Sequence, residues 1–443
     1  MKKYSSSLLF LIGVFSVTQV HFFGSIGISE LFMFVVAPIL FLKNYRLIKS
    51  DGFLPILALA MACCVGGIIG GIVNDTHVIL LIKGLATPYS IFALVVVYYV
   101  LLRDNIDGFK WLMIGIFLSH IIHVFIFQPE TFTVQNGDLV VGDEAVGAVV
   151  GYALFWAVRI GMLVYLPIQC WYFKTPILYS LVMPILLGAY TIVNSDSSGR
   201  ARTLAICMSV LLILLGSKSR RKMRRVGKYV YVYALLGVLV VLLFKSAYQY
   251  SAMSGVLGEK AYSKYQQQTE RGSGVLDLLI AGRQGFFTGI MACIDSPVIG
   301  LGPFPADTHG YYQDFLYKYG TEIEYRNFLS WTSRYGAANF YIPSHSYIVS
   351  FWMYYGIAGV ILWVYALWLC LSYYRRWSCA IPQWYGYFCL ATPTVLWNIF
   401  FSPYGDRVIT ALFFTCLLLV KAAYERKIAL PFVWEYEARK YDK

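Results

Sequence analysis

Two arginines and one histidine sit where their chemistry could be combined. Arg200 closes the run Ser197-Ser198-Gly199-Arg200, Arg283 lies in Gly282-Arg283-Gln284-Gly285, and His345 lies in Pro343-Ser344-His345-Ser346. A guanidinium grips a phosphate through two parallel hydrogen bonds and never loses its charge. An imidazole is the natural general base near neutral pH. Each residue alone has an ordinary reading. Arginines near a membrane surface snorkel, and a single histidine is more often packed or capping. Together they suit a diphosphate leaving group and a hydroxyl that must lose its proton.

Weaker candidates accompany them. Arg202 is close enough to Arg200 to exchange roles with it. Arg159 falls in the middle of an apolar run, where a charge costs about 2.5–3.5 kcal/mol on insertion scales and needs a partner. It reads equally as structural or functional. Lys83 either draws phosphate or snorkels, and snorkelling is the commoner role. Tyr341 belongs to a set with Tyr311, Tyr312, Tyr317, Tyr319, Tyr325 and Tyr335, suited equally to sugar rings and to the membrane interface. Glu322 and Glu324 are acid–base candidates that read more simply as a solvated face. His120 and His123 share a helical face and read as packed rather than metal-binding. A disulfide framework or zinc site is not expected, because the nine cysteines include no Cys-x-x-Cys pair and fall mostly in apolar runs; no cofactor is expected.

The elements that must position these groups are membrane helices. Of 443 residues, 59% are hydrophobic and only 13% charged, against roughly 25% charged in soluble domains. Apolar runs long enough to span a bilayer fall at about 5–21, 26–42, 53–73, 78–102, 109–127, 147–170, 177–194, 201–216, 229–248, 342–372, 383–401 and 406–420. Only a few residues around Gly24-Ser25 separate the first two. The start, Met1-Lys2-Lys3 before an apolar run, reads as a retained signal-anchor. The expected fold is therefore all-α and integral to the membrane, with about twelve spans.

Orientation follows from the positive charge. Lys43, Arg46, Lys49, Arg103, Lys110, the stretch 218–228, Arg375, Arg376 and the tail 421–443 are strongly basic, whereas 21–25, 74–77 and 128–146 are nearly free of positive charge. The basic set is expected in the cytoplasm, with both termini. The net charge of +13 is thus an orientation signal, and nucleic acid is not expected as a partner. The chain divides into spans one to nine (1–248), a long outer loop (249–341), spans ten to twelve (342–420) and the tail. In the loop, apolar residues at three- and four-residue spacing predict a helix over Val275–Ile294, apolar face on the bundle, stopped by Asp295-Ser296-Pro297 and followed by a turn at Gly300, Gly302 and Pro303. His345 is expected in the first turn of span ten.

The run Gly282-Arg283-Gln284-Gly285, with Asp295-Ser296-Pro297-Val298-Ile299-Gly300-Leu301-Gly302 after it, resembles the loop signature of the Wzy-type O-antigen polymerases and the O-antigen ligases. So does His345-Ser346 with Gly356-Ile357-Ala358-Gly359 behind it, and Ser198-Gly199-Arg200 looks like the family's Ser-Arg motif at a helix mouth. Ligases commonly carry Asn after the histidine, and this chain has Ser346. The resemblance implies a metal-independent glycosyltransferase of the bacterial inner membrane, acting at the periplasmic face. Its donor and acceptor would be undecaprenyl-diphosphate-linked glycans, and a flippase and a chain-length regulator would be its partners. Arg200, Arg283 and His345 would be catalytic. A ligase would use lipid A–core as acceptor. A lipid-linked sugar transporter, which would place its charges at mid-membrane, and a non-enzymatic scaffold are the readings from other classes.

Overall fold

The computed structural model describes residues 2–16, 18–21, 25–122, 229, 250, 253–254, 266, 283–336, 340–378, 380–381, 384–402 and 407–425. The expected spans at 147–170, 177–194, 201–216 and 229–248 lie outside these residues or almost wholly so. Arg159, Arg200, Arg202, His123 and the side chain of His120 also lie outside them.

The first part of the chain forms α1 (Lys2–Val14), a small antiparallel ribbon β1 (Gln19–His21) and β2 (Ser25–Gly27), then α2 (Ile28–Ser50), α3 (Leu54–Val73), α4 (Val78–Leu102) and α5 (Gly108–Ile122). After residue 282 come α6 (Gln284–Asp295), α7 (Tyr311–Tyr319), α8 (Glu322–Tyr335), α9 (Tyr347–Tyr355), α10 (Ile357–Ser372) with a π-helical turn Tyr373–Trp377, α11 (Tyr385–Phe401) and α12 (Arg407–Glu425). Among the described residues, α2, α3, α4, α10 with its π turn, and α12 are long and apolar enough to cross a membrane. Their apolar residues are exposed in stripes, such as Val65, Ile68, Ile69 and Ile72 on α3 and Ile357, Ile361, Val364 and Trp368 on α10. Such stripes suit lipid as the outer solvent. The chain is an α-helical membrane protein.

The first span departs from expectation. α1 stops at Val14 rather than 21, and the ribbon carries the chain to α2. The Gly27 N–H donates to the Glu30 carboxylate at 3.0 Å, so α2 starts at a defined point. Glu30 is buried and also pairs with Arg407 at the start of α12, at 3.3 Å. α1 and α5 cross at two glycines: a Cβ on Gly13 would stand 2.4 Å from the Leu112 carbonyl oxygen, and one on Gly115 would stand 2.3 Å from that of Phe10. Backbones this close are the usual use of small residues in membrane helix packing.

Three contacts define one end of the bundle. Asn105 donates to Ser5 and Ser6 at the start of α1. Buried Asp51 accepts from Tyr99 at 2.7 Å and pairs with Arg103 at 2.9 Å. The Lys421 ammonium lies beside Gly52. The basic segments near 43–52, 103–110 and 421 therefore share one end, and residues 283–346 gather at the other.

Span ten, expected as one helix over 342–372, is two helices broken at Gly356. That residue sits at φ 65°, ψ −150°, a region essentially restricted to glycine. The break would leave backbone groups of the helix without their intrahelical partners. The segment Ser296–Pro303 supplies their partners. The Leu301 N–H donates to the Met353 carbonyl at the end of α9, and the Ile357 N–H that opens α10 donates to the Val298 carbonyl. Trp352 Nε1 donates to the Pro297 carbonyl at 2.8 Å. Glycines let the backbones touch: a Cβ on Gly356 would lie 2.0 Å from Val298 O, one on Gly300 would lie 2.6 Å from Gly356 N, and one on Gly302 would lie 2.8 Å from Gly71 N. The expected turn at Gly300, Gly302 and Pro303 is thus a plug set into the broken helix. Gly356→Ala should cost roughly 1–3 kcal/mol from the backbone alone. It should expose the 296–303 segment to protease in the detergent-solubilised protein, with a lower melting temperature as the second readout.

Candidate functional site

The plug fixes α6, and α6 carries Arg283. The helix begins at Gln284, so Arg283 is its N-cap residue rather than a residue of the helix as the periodicity implied. The helix ends at Asp295, as Asp295-Ser296-Pro297 led one to expect. Its apolar face meets the bundle: Ala292 and Cys293 form a buried cluster with Ile342, Val349 and Met353.

His345 also lies outside its expected helix. Ser346 is the N-cap of α9, accepting from the Val349 N–H at 3.3 Å, so His345 immediately precedes the cap. Ser346 has the right side chain for capping, and the helix opens at Tyr347, five residues after the 342 expected from the apolar run. The imidazole is exposed along one edge and lies over the first turn of α6, where a Cβ on Gly285 would meet His345 Nδ1 at 2.3 Å. A Cβ on Gly289, one turn on, would lie 2.6 Å from Val349. The two glycines form the groove that receives residues 343–349, and only that groove lets His345 approach Arg283.

The last turn of α11 holds both partners. A helix leaves its final carbonyls without intrahelical donors, and Ser402-Pro403 gives the chain no means to continue. The Phe401 carbonyl accepts from Arg283 Nη1 at 3.0 Å. The Ile399 carbonyl accepts from Ser346 Oγ at 2.8 Å. Arg283 also lies over the rings of Trp397 and Phe401, at 5.1 and 5.2 Å from their centroids. Trp397 and Phe401 escaped sequence reading, and Ser346 was legible only as the residue after the histidine, not as a cap and a partner of α11. The i, i+4 aromatic pair ahead of Ser-Pro was the available signal.

Gln284 extends the wall. Its side-chain oxygen accepts from Tyr312 at 3.1 Å, and Tyr312 stacks on Phe340. Buried Asp307 accepts from the backbone of Tyr311 and Tyr312 at 2.7 and 2.9 Å and so fixes the start of α7. Burial pushes the Asp307 carboxyl above its ordinary pKa, and those two N–H groups oppose the shift. Tyr311 donates to Asp295. Glu324 is engaged in a capping box with Thr321, and exposed Glu322 pairs with Arg326. Both carboxylates are thus committed to α8. Lys83 and Tyr341 meet elsewhere, around Phe304.

Among the described residues no carboxylate pairs with Arg283. Its half-buried guanidinium is held by a carbonyl and two aromatic faces, and burial lowers its pKa from the ordinary arginine value. The pKa of His345 is pushed below 6.5, first by partial burial and then by the neighbouring Arg283 charge. The neutral, proton-accepting form therefore persists below pH 6.5 and is lost only as pH falls through the lowered value. Arg283→Gln should raise the His345 pKa towards 6.5 by removing the like charge. Titration of the labelled imidazole by NMR reads this directly, and no movement would mean that the two groups do not interact.

No protein-family model matches this chain, and neither a curated protein nor a solved structure does.

Proposed function

We propose that the protein is a membrane glycosyltransferase that polymerises oligosaccharide units carried on undecaprenyl diphosphate, working at the periplasmic face with both termini in the cytoplasm. One observation carries the reading. A guanidinium that meets no carboxylate among the described residues, held by the Phe401 carbonyl, and an imidazole poised to accept a proton come together at the end of the bundle opposite the basic segments. Arg283 grips the donor diphosphate and stabilises its charge as the sugar leaves. His345 takes the proton from the acceptor hydroxyl. The new glycosidic bond forms as the anomeric carbon–phosphate bond breaks, and the lipid diphosphate departs with the electron pair.

The sequence resemblance supports the same chemistry, adds Arg200 as a second phosphate ligand and implies no metal. It also frames the twelve-span topology and the loop as the outer, catalytic segment. An O-antigen ligase would use the same groups with lipid A–core as acceptor, and Ser346 in place of the ligases' usual Asn favours the polymerase. A deletion strain separates the two. Loss of a polymerase leaves a single repeat on the core in a glycan ladder, and loss of a ligase leaves none. An unchanged ladder would refute both.

A further inference from the structure

We propose that Lys83, Phe304 and Tyr341 form a second anion subsite, which holds the diphosphate-linked sugar of the acceptor while its far end is presented to His345. This rests on the transferase reading above. The three residues come from α4, from the end of the plug and from the segment before α9, and specific contacts bring them together. Gly84 admits the Pro303 ring, since a Cβ there would lie 2.1 Å from Pro303. That contact sets Phe304 beside Lys83, with the ammonium 5.0 Å from the ring centroid. The bridge between Ala306 and Tyr341 brings Tyr341 to the same ring, and Tyr354 backs it at 5.4 Å.

Phe304 itself has φ +52°. A bulky residue is strained in such a conformation, and strain of this kind gathers at binding sites. Here it sets the partly exposed Phe304 ring beneath the exposed Lys83 ammonium. Lys83 and Tyr341 are both exposed. Aromatic faces beside an ammonium are the groups that recognise a sugar ring bearing an anion.

The placement explains why two subsites are needed. Tyr341 and His345 are both exposed, while Ile342 and Ser346 between and beyond them are buried. Four residues of chain reach at most about 14 Å. Tyr341 thus lies within about 14 Å of His345 along the chain, a reach that a short oligosaccharide spans. An acceptor anchored at Lys83 by its own diphosphate would offer a distal hydroxyl at His345, while Arg283 holds the donor.

The test counts sites for geranyl diphosphate, a soluble probe, on the full chain in neutral-lipid nanodiscs, against empty nanodiscs. The wild type is expected to bind two per chain, Lys83→Gln one, and Arg283→Lys one. Lys83 is exposed, so its substitution should leave the melting temperature unchanged. Phe304→Gly suits the backbone and removes the ring, and should weaken only the Lys83-dependent site, about 2- to 5-fold for an exposed cation–π contact. Two sites in Lys83→Gln, or one Arg283-dependent site in the wild type, would overturn the second subsite and leave the transferase reading standing. No binding at either position would count against both. If methyl glucuronide occupied the Lys83 site in preference to geranyl diphosphate, the anion would belong to an acidic sugar and the lipid-diphosphate assignment would fail.

Discussion

His345→Ala should lower the rate of glycan transfer by about 10²–10⁴-fold, the usual contribution of a positioned general base, while donor affinity stays nearly unchanged. The expectation follows from the division of labour in the site. The imidazole lies over Gly285 with an open edge and a lowered pKa, and among the described residues it makes no hydrogen bond on which α6 or α9 depends. Helix α9 is capped by Ser346, not by His345. The variant should therefore fold normally, and single-turnover kinetics should show a slow chemical step after normal donor binding. If it instead lost donor binding and kept its chemical step, His345 would be a phosphate ligand. The base would then have to be sought elsewhere, with Glu322 paired to Arg326 and Glu324 engaged in the Thr321 capping box.

Arg283→Lys should cost about 10²–10³-fold in kcat/KM, the range for removing one donor aimed at developing charge. Lysine keeps the charge but not the planar fork. A single ammonium cannot bond the Phe401 carbonyl, lie flat between Trp397 and Phe401 and still present a donor pair to a diphosphate. Membrane abundance should be normal, since the end of α11 keeps its Ser346 contact. Full activity in purified protein would return Arg283 to the role of an interfacial anchor.

The helices were legible in the sequence where an apolar run ended in polar residues. The spans expected at 53–73 and 78–102 are α3 and α4 almost to the residue. Span ten was misread because both sides of Gly356 are equally apolar, and hydropathy does not register a backbone break that another segment repairs. The plug residues 296–303 read from sequence only as a turn, because their meaning lies in the Met353 and Ile357 groups they satisfy. Arg283 and His345 were legible as residue types. Their meeting was not, because it depends on Gly285 and Gly289 and on two carbonyls of α11. Lys83 and Tyr341 were chosen singly, and their shared ring, Phe304, carried no sequence signal beyond its neighbour Pro303.

The most direct measurement uses the purified chain in nanodiscs with a synthetic oligosaccharide on a polyprenyl diphosphate, in EDTA. Release of polyprenyl diphosphate and growth of the glycan are followed together. The wild type should extend the glycan one unit for each diphosphate released, and His345→Ala and Arg283→Lys should bind or turn over as described above. Absence of extension by the wild type, or extension by both variants at the wild-type rate, would contradict the assignment of glycan transfer to the Arg283–His345 site.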